Sequence, residues 1–312
     1  MAKVLVVGLN PAWQKVLEFA EFRAGEVNRA QATLSLASGK GINAAKVLRR
    51  LGHEVALLQI LGGSNGDLCL KACGELGIRS LHVSGDRETR ECLTVMDRRT
   101  GQATELIEPF ALGPGDWAGR LLALLEGDGG SFEAVLFCGS VPAEGAGALF
   151  ARILDGCAPR VSILDSQGPA ALAVLGRVDY VKLNREEYRD LAPALRAAGN
   201  AAAPIYLVTA GPGEAAMIRG EATVARYSLP RLESIRNPIG AGDTVAAGLA
   251  HGLLAGEPVV EAFRAALAMG SASCLQLAPA EFLPEDYRRL FARVEMLETA
   301  AGESRGGGAE HG

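Results

Sequence analysis

The segment Asn237-Pro238-Ile239-Gly240-Ala241-Gly242-Asp243-Thr244 sets a glycine turn against an aspartate. Behind it, Val245 to Leu254 is rich in Ala and Leu and free of proline, which predicts a helix beginning at or just after Gly242. Backbone at Gly240, Ala241 and Gly242 can approach an anion closely, and first-turn N–H groups with the positive end of the helix dipole suit developing phosphate charge. Asp243 cannot stabilise phosphate directly, but it can accept a proton from an attacking hydroxyl. The octapeptide therefore reads as a phosphoryl-transfer centre. The competing reading is a plain turn whose aspartate caps the helix.

Two further segments could do related chemistry. Ser38-Gly39-Lys40-Gly41-Ile42-Asn43 opens a predicted helix from Asn43 to Leu51 and forms a second anion site, in which backbone N–H groups supply direction and Lys40 supplies charge. It is not a Walker A loop, because Gly41 stands where Ser or Thr would follow the lysine, and no G-x-G-x-x-G follows Gly8. Lys182-Leu183-Asn184-Arg185-Glu186-Glu187 ends a predicted strand and starts a helix, so Asn184 and Glu187 fall one turn apart. Both could reach a hydrated Mg²⁺, which keeps most of its waters; alternatively the pair is a near-capping box. Thr209-Ala210-Gly211-Pro212-Gly213 is a nucleotide loop or simply a turn.

The elements that must position these residues alternate. Val4–Val7, Val55–Leu61, Ala134–Cys138, Val161–Asp165, Tyr180–Leu183 and Ile205–Thr209 read as strands. Ile42, Ala45, Leu48 and Leu51 recur at helical spacing and stop at Gly52, and Leu68 to Leu76 does the same before Gly77. Such alternation predicts a mainly parallel sheet covered on both faces by helices, with ligands at the strand carboxyl ends. Residues 16–36 and 88–108 break the rhythm with alternating patterns, and Arg98–Gly101 reads as a hairpin turn between Cys92–Met96 and Ala103–Ile107. These segments are expected to pair into a small separate sheet acting as a lid, a dimer contact, or both. Val259 to Leu277 and Asp286 to Thr299 are expected to be helical, and residues 302–312 a mobile tail.

With 312 residues, 49% apolar and 21% charged, the composition is that of a globular protein with a substantial core. A net charge of -5 with interspersed signs argues against a nucleic-acid partner. The six cysteines lie mostly in apolar stretches and read as reduced core residues without zinc-site spacing. No run approaches the roughly 18 apolar residues of a membrane span, so no membrane association and a cytoplasmic location are expected.

Taken together, the pieces resemble the PfkB (ribokinase-like) sugar kinases, in the branch of 1-phosphofructokinase, 6-phosphofructokinase-2 and tagatose-6-phosphate kinase. Leu9-Asn10-Pro11-Ala12, Val27-Asn28-Arg29, Ser38–Asn43, Thr89-Arg90, Thr104-Glu105, Gly139-Ser140-Val141-Pro142, Val181–Glu187 and Gly240–Asp243 carry the resemblance, over roughly residues 3–280. It implies a ribokinase-like three-layer α/β sandwich with a mainly parallel sheet and a small β lid. The implied domain runs over 1–300, with lid segments at about 14–37 and 87–110 and a flexible tail at 301–312. The implied activity is ATP-dependent phosphorylation of a phosphorylated ketohexose, with Asp243 as base and Gly240, Ala241 and Gly242 as the anion hole.

By the same resemblance Arg29, Lys40 and Arg90 would hold the substrate's existing phosphate, and Gly39, Gly41, Asn43 and Ser140 would line the sugar. Lys182, Asn184, Thr209, Gly211, Gly213 and Glu214 would contact ATP, and Asn184 and Glu187 would organise Mg²⁺. The chain departs from the family in three places. Trp13-Gln14 replaces a sugar-binding aspartate, with Gln14 in the acid's position; Ser38 replaces the first glycine of its motif; and Glu214 replaces a glycine of the nucleotide loop. The alternatives are a ribokinase-like kinase of an unphosphorylated sugar or nucleoside, which would not need three cations, and a non-catalytic sugar-phosphate sensor, against which the presence of Asp243 argues.

Overall fold

The computed structural model describes residues 1–129, 131–141, 144–197, 204–211 and 213–299. The tail expected at 301–312, and Pro142 and Pro212 of the motifs above, lie outside the described residues. Strand β1 (Lys3–Val7) is buried on both faces: Val4 and Val6 enter one apolar core, Leu5 and Val7 another. That double burial is why it reads as an unbroken apolar run rather than an alternating one.

The chain then leaves the main sheet for an antiparallel pair, β2 (Ala12–Phe19) and β3 (Ala32–Ser38). It returns through helix α1 (Lys40–Arg50), β4 (Glu54–Leu61), α2 (Gly63–Glu75) and β5 (Arg79–Ser84). A second excursion makes the hairpin β6 (Glu91–Asp97) and β7 (Gln102–Ile107), followed by α3 (Trp117–Gly127), β8 (Ala134–Cys138), α4 (Ala146–Cys157), β9 (Val161–Asp165) and α5 (Pro169–Leu172). Then come β10 (Tyr180–Asn184), α6 (Arg185–Ala197), β11 (Ile205–Thr209), β12 (Glu214–Arg219) and β13 (Ala222–Ser228). Helices α7 (Ala241–Leu254), α8 (Val259–Ser273) and α9 (Pro284–Phe291) precede β14 (Glu295–Thr299).

Ten strands form the large sheet in the order β14-β13-β12-β11-β10-β9-β8-β1-β4-β5. From β11 to β5 neighbouring strands are parallel, and β12, β13 and β14 add an antiparallel edge. Residues of α1, α7 and α8 fill one core and residues of α3, α4 and α5 the other, which makes three layers. The two excursions meet in a four-stranded sheet, β3-β2-β6-β7, with β2 and β6 parallel. The expected small separate sheet and its hairpin are thus present. The hairpin turn is tied by Asp97, whose Oδ1 accepts from the Arg99 and Thr100 N–H groups at 2.9 and 3.2 Å.

Several boundaries differ from the sequence reading, α2 for one starting at Gly63 rather than near Leu68. Helix α1 begins at Lys40, three residues before Asn43, because Gly39 can take the positive φ of 99° needed ahead of it. Helix α8 stops at Ser273 rather than Leu277; the carbonyl of Cys274 accepts the N–H groups of Arg236 and Asn237 instead of continuing the ladder. Asp286–Thr299 is not one helix. Arg264 of α8 donates to the carbonyls of Phe291 and Val294 at 3.4 and 2.9 Å, which closes α9, and the following residues pair with the open edge of β13. Among the described residues no helix is long and apolar enough to cross a membrane, and all six cysteines are unbridged thiols.

Candidate active site

Strand β1 is where the large sheet changes direction, since the chain continues to β4 on one side and to β8 on the other. Such a switch point opens a crevice beyond the strand carboxyl ends. Asn10, just after β1, spans it by donating to the Ser140 carbonyl beyond β8 at 3.3 Å. Two helices aim their N-termini into the crevice, and both enter through glycine. Gly39 precedes α1, where a Cβ would stand 3.1 Å from the Asn10 oxygen and from Pro11 Cα. Two residues on, a Cβ on Gly41 would stand 2.5 Å from Gly8 Cα, so the pair of glycines lets α1 lie against the end of β1. Gly240 precedes α7 at φ 82°, backed by the Ala280 nitrogen at 2.7 Å from its would-be Cβ. A Cβ on Gly242 would meet the Lys182 ammonium at 2.6 Å, so this glycine makes room for a cation over the helix start. Neither helix has a side-chain cap, unlike α3, whose first turn is bonded by Asp116.

Asp243 lies in the first turn of α7 and is only 6% exposed. Asn43 Nδ2 donates to its Oδ2 at 2.8 Å, and Ser38 Oγ donates to Asn43 Oδ1 at 3.2 Å, which sets the amide with its NH₂ toward the acid. Burial, and then the charge of Asp165, push the Asp243 carboxyl up to about 6, against the pull of Lys40, Asn43 and Lys182. Asp165 ends β9 and is 1% exposed. Lys40 Nζ reaches its Oδ1 at 2.8 Å and Lys182 Nζ its Oδ2 at 3.2 Å. Burial works against its charge, but the two ammonium groups outweigh burial and hold Asp165 below the ordinary carboxylate range. Burial likewise opposes the charge on Lys40, yet Asp165 and then Asp243 push its pKa up. Two carboxylates in one pocket are thereby separated: one stays ionised as a counter-ion, the other is poised to take and release a proton near neutrality.

Asn43, Lys40, Lys182 and Gly240–Asp243 are therefore gathered as the sequence suggested. Asp165, which joins them, is in the sequence only the end of a predicted strand; an acid closing an all-buried strand at a sheet's carboxyl edge is the signal that marks it. Gln14 is 4% exposed on β2 and donates to Thr94 Oγ1 at 2.5 Å. Arg90 hydrogen-bonds the Asn10 carbonyl at 3.4 Å, and its buried Nε has no partner among the described residues. Arg29 is exposed on the loop between β2 and β3, and Ser140 is exposed at the crevice.

Asn184 and Glu187 cap α6 reciprocally, Asn184 N to Glu187 Oε2 at 2.7 Å and Glu187 N to Asn184 Oδ1 at 2.9 Å, and Gln167 donates to the other Glu187 oxygen. Thr209 and Gly211 border an apolar cavity of about 270 Å³ that also touches Ala241, Gly242, Leu232 and Pro238. Gly213 and Glu214 do not line it: Gly213 bonds the Leu229 N–H through its carbonyl, and Glu214 pairs with Arg185 at 3.5 Å.

The family described as pfkB family carbohydrate kinase matches residues 1–286. The 1-phosphofructokinase of Rhodobacter capsulatus is 32% identical over 317 residues, covering 95% of this chain and 98% of that protein. Among solved structures, phosphofructokinase-2 from Escherichia coli in complex with substrates and products superposes with a TM-score of 0.80 at 21% identity, covering 93% of this chain and 99% of that one. A possible 1-phosphofructokinase from Thermotoga maritima gives 0.79 at 18% identity, covering 95% and 100%. At these identities the two structures speak to the fold.

Proposed function

The chain belongs to the pfkB family of carbohydrate kinases, and from that premise we propose that it transfers the terminal phosphoryl group of ATP to a hydroxyl of a phosphorylated fructose. Fructose 1-phosphate is the substrate favoured by the 1-phosphofructokinase relative. The observation that carries this reading is Asp243: a buried carboxyl, raised to about 6, aligned by Asn43 and set at an uncapped helix N-terminus beside Lys40 and Lys182. Asp243 takes the proton of the attacking hydroxyl. The N–H groups at Gly242 and Asp243, with the two lysines, stabilise the charge of the group in transfer.

The apolar cavity beside Ala241 and Gly242 suits the flat base of the nucleotide, with Thr209 and Gly211 at its edge. Arg90, holding a buried guanidinium nitrogen without a partner among the described residues, is a donor for the sugar's existing phosphate, with Arg29 as a further cation. Gly39, Gly41, Ser140 and Gln14 would border the sugar. Asn184 and Glu187 form the reciprocal α6 cap, so Mg²⁺ would reach their oxygens only through its own waters. Mg²⁺ held there would neutralise charge on the triphosphate. Residues 1–300 are read as one kinase unit whose lid sheet also offers a surface to a second copy, since Leu106 and Ile107 are each 56% exposed on the edge strand β7.

The test is ADP release over a panel of fructose 1-phosphate, fructose 6-phosphate, tagatose 6-phosphate, fructose and a nucleoside. A ketohexose phosphate should be turned over with a kcat/KM of about 10⁴ M⁻¹s⁻¹ or better, in the usual enzyme range. Turnover confined to the unphosphorylated compounds would overturn the reading.

A further inference from the structure

Helix α1 presents a row of three polar residues toward α7 and the segment that follows α8. Asn43 touches Asp243, as described. One turn on, Lys46 is buried, its side chain 7% exposed, and its ammonium donates to the Pro279 carbonyl at 3.0 Å, with Glu281 Oε1 at 4.0 Å. One turn further, the Arg50 guanidinium lies over the Phe282 ring, 5.4 Å from its centroid. A cation taken out of water is costly unless hydrogen-bonded or paired; among the described residues the carboxylate that pairs with Lys46 is 4.0 Å away and 48% exposed, and Asp243 attracts it from further off. A methionine of similar volume would fill the same space without that cost. The ammonium therefore answers to something other than packing.

What it holds is the backing of the anion-hole turn. Ala280, next to Pro279, is one of two described non-glycine residues with positive φ, at 55°. Backbone in that region persists only where its surroundings over-determine it. The Ala280 nitrogen is the atom against which Gly240 packs, 2.7 Å from the position of an added Cβ. Nearby, Asn237 Nδ2 donates to the Leu277 carbonyl at 2.8 Å, so the 277–282 segment and the 237–240 turn are locked together at two points. We propose that Lys46 is a positioning residue for phosphoryl transfer: its buried ammonium clamps the 279–281 segment against Gly240 and so fixes the backbone N–H groups at the start of α7. The clamp rests on the kinase reading for its catalytic consequence, whereas its structural consequence does not.

The experiment compares the parent with Lys46→Met, Lys46→Gln and Lys46→Arg, using steady-state kinetics with ATP and fructose 1-phosphate, hydrogen exchange of the peptide spanning 236–245, and thermal melts. Lys46→Met should raise exchange in that peptide and lower kcat by about 10- to 100-fold, as expected when donors at a developing charge are misplaced. The KM for the sugar phosphate should change by less than about threefold. Lys46→Arg, which keeps a charged donor, should restore most of both. Should Lys46→Met not fold, Lys46→Gln takes its place; it keeps a donor without charge and should lie between the other two. Unchanged exchange and kcat in a folded Met or Gln variant, or a uniform loss of protection along the chain in place of the local one, would overturn the clamp. A parent inactive on every sugar phosphate, with the exchange differences intact, would sink the kinase reading and leave the clamp standing.

Discussion

At the scale of single residues, the site works by giving two nearby aspartates opposite electrostatic surroundings. Asp165 receives two ammonium groups, whereas Asp243 receives a neutral amide and the repulsion of Asp165. Asp243→Asn should fold and bind, yet lose about 10²–10⁴ in kcat, the usual cost of deleting a general base; turnover within about threefold of the parent would make Asp243 a cap. Because the base must be ionised to accept a proton, kcat/KM of the parent should fall as pH drops through about 6. In Asp165→Asn the like charge is gone, so whatever activity remains should show its acid limb at lower pH. A pH–rate profile of parent and variant checks the sign.

At the scale of elements, two close approaches decide where α1 and α7 point. Gly41→Ala would place a methyl 2.5 Å from Gly8 Cα, a backbone atom that cannot swing away. The helix must lift from β1, taking Lys40 and Asn43 with it. Overpacking of this kind costs about 1–3 kcal/mol, and kcat should drop with the melting temperature. The opposite ends of the same two helices meet at His53, just past α1, and His251 in the last turn of α7, with His53 Nε2 and His251 Nδ1 2.9 Å apart. Burial holds both imidazoles below their ordinary value. For His53, His251 and the amino terminus add to this and Glu133 opposes it; for His251, Glu257 opposes and the amino terminus adds.

An imidazole whose folded pKa is depressed binds fewer protons than in the unfolded chain, so stability is lost as pH falls from about 6.5. Asp243, raised to about 6, acts in the opposite sense below that pH. The contribution is therefore read as a difference between proteins: urea melts from pH 7.5 to 5.5 should show a smaller loss in His53→Gln/His251→Gln than in the parent. Equal slopes would remove the pair from the acid response.

At the scale of the whole molecule, the small sheet is joined to the rest by helix α2, whose Asn65 and Cys69 bond the carbonyls of Thr89 and Ala12, and by one buried carboxylate. Glu18 on β2, its side chain 7% exposed, lies 3.7 Å from Arg98 of the β6–β7 hairpin and 3.7 Å from Arg236, the residue before the Asn237–Gly240 turn. Gln14 shares that face of β2, two positions along at each step through Val16. A partly exposed pair is worth no more than about 1 kcal/mol, so Glu18→Gln should raise the KM for the sugar phosphate by about two- to fivefold and leave kcat within twofold. A changed kcat at constant KM would place Glu18 with the turn rather than with the lid.

Much of this was legible in the chain itself. Buried strands announce themselves as apolar runs, and Gly240–Asp243 and Ser38–Asn43 announce helix starts, because glycine readily tolerates those backbone angles and approaches. The lid hairpin was visible through Arg98–Gly101 and its alternating flanks. What the chain could not show was which side chains close on one another across long separations. Asn43 meets Asp243, Lys40 meets Asp165, and Lys46 meets Pro279 only once the sheet has stacked α1 against α7. The pKa of Asp243 has the same origin, since burial and the charge of Asp165 are properties of the assembled crevice. The strand β14 is a further instance: nothing in Glu295–Thr299 favours extended backbone over helix as strongly as the unpaired edge of β13, and that edge exists only in the folded molecule.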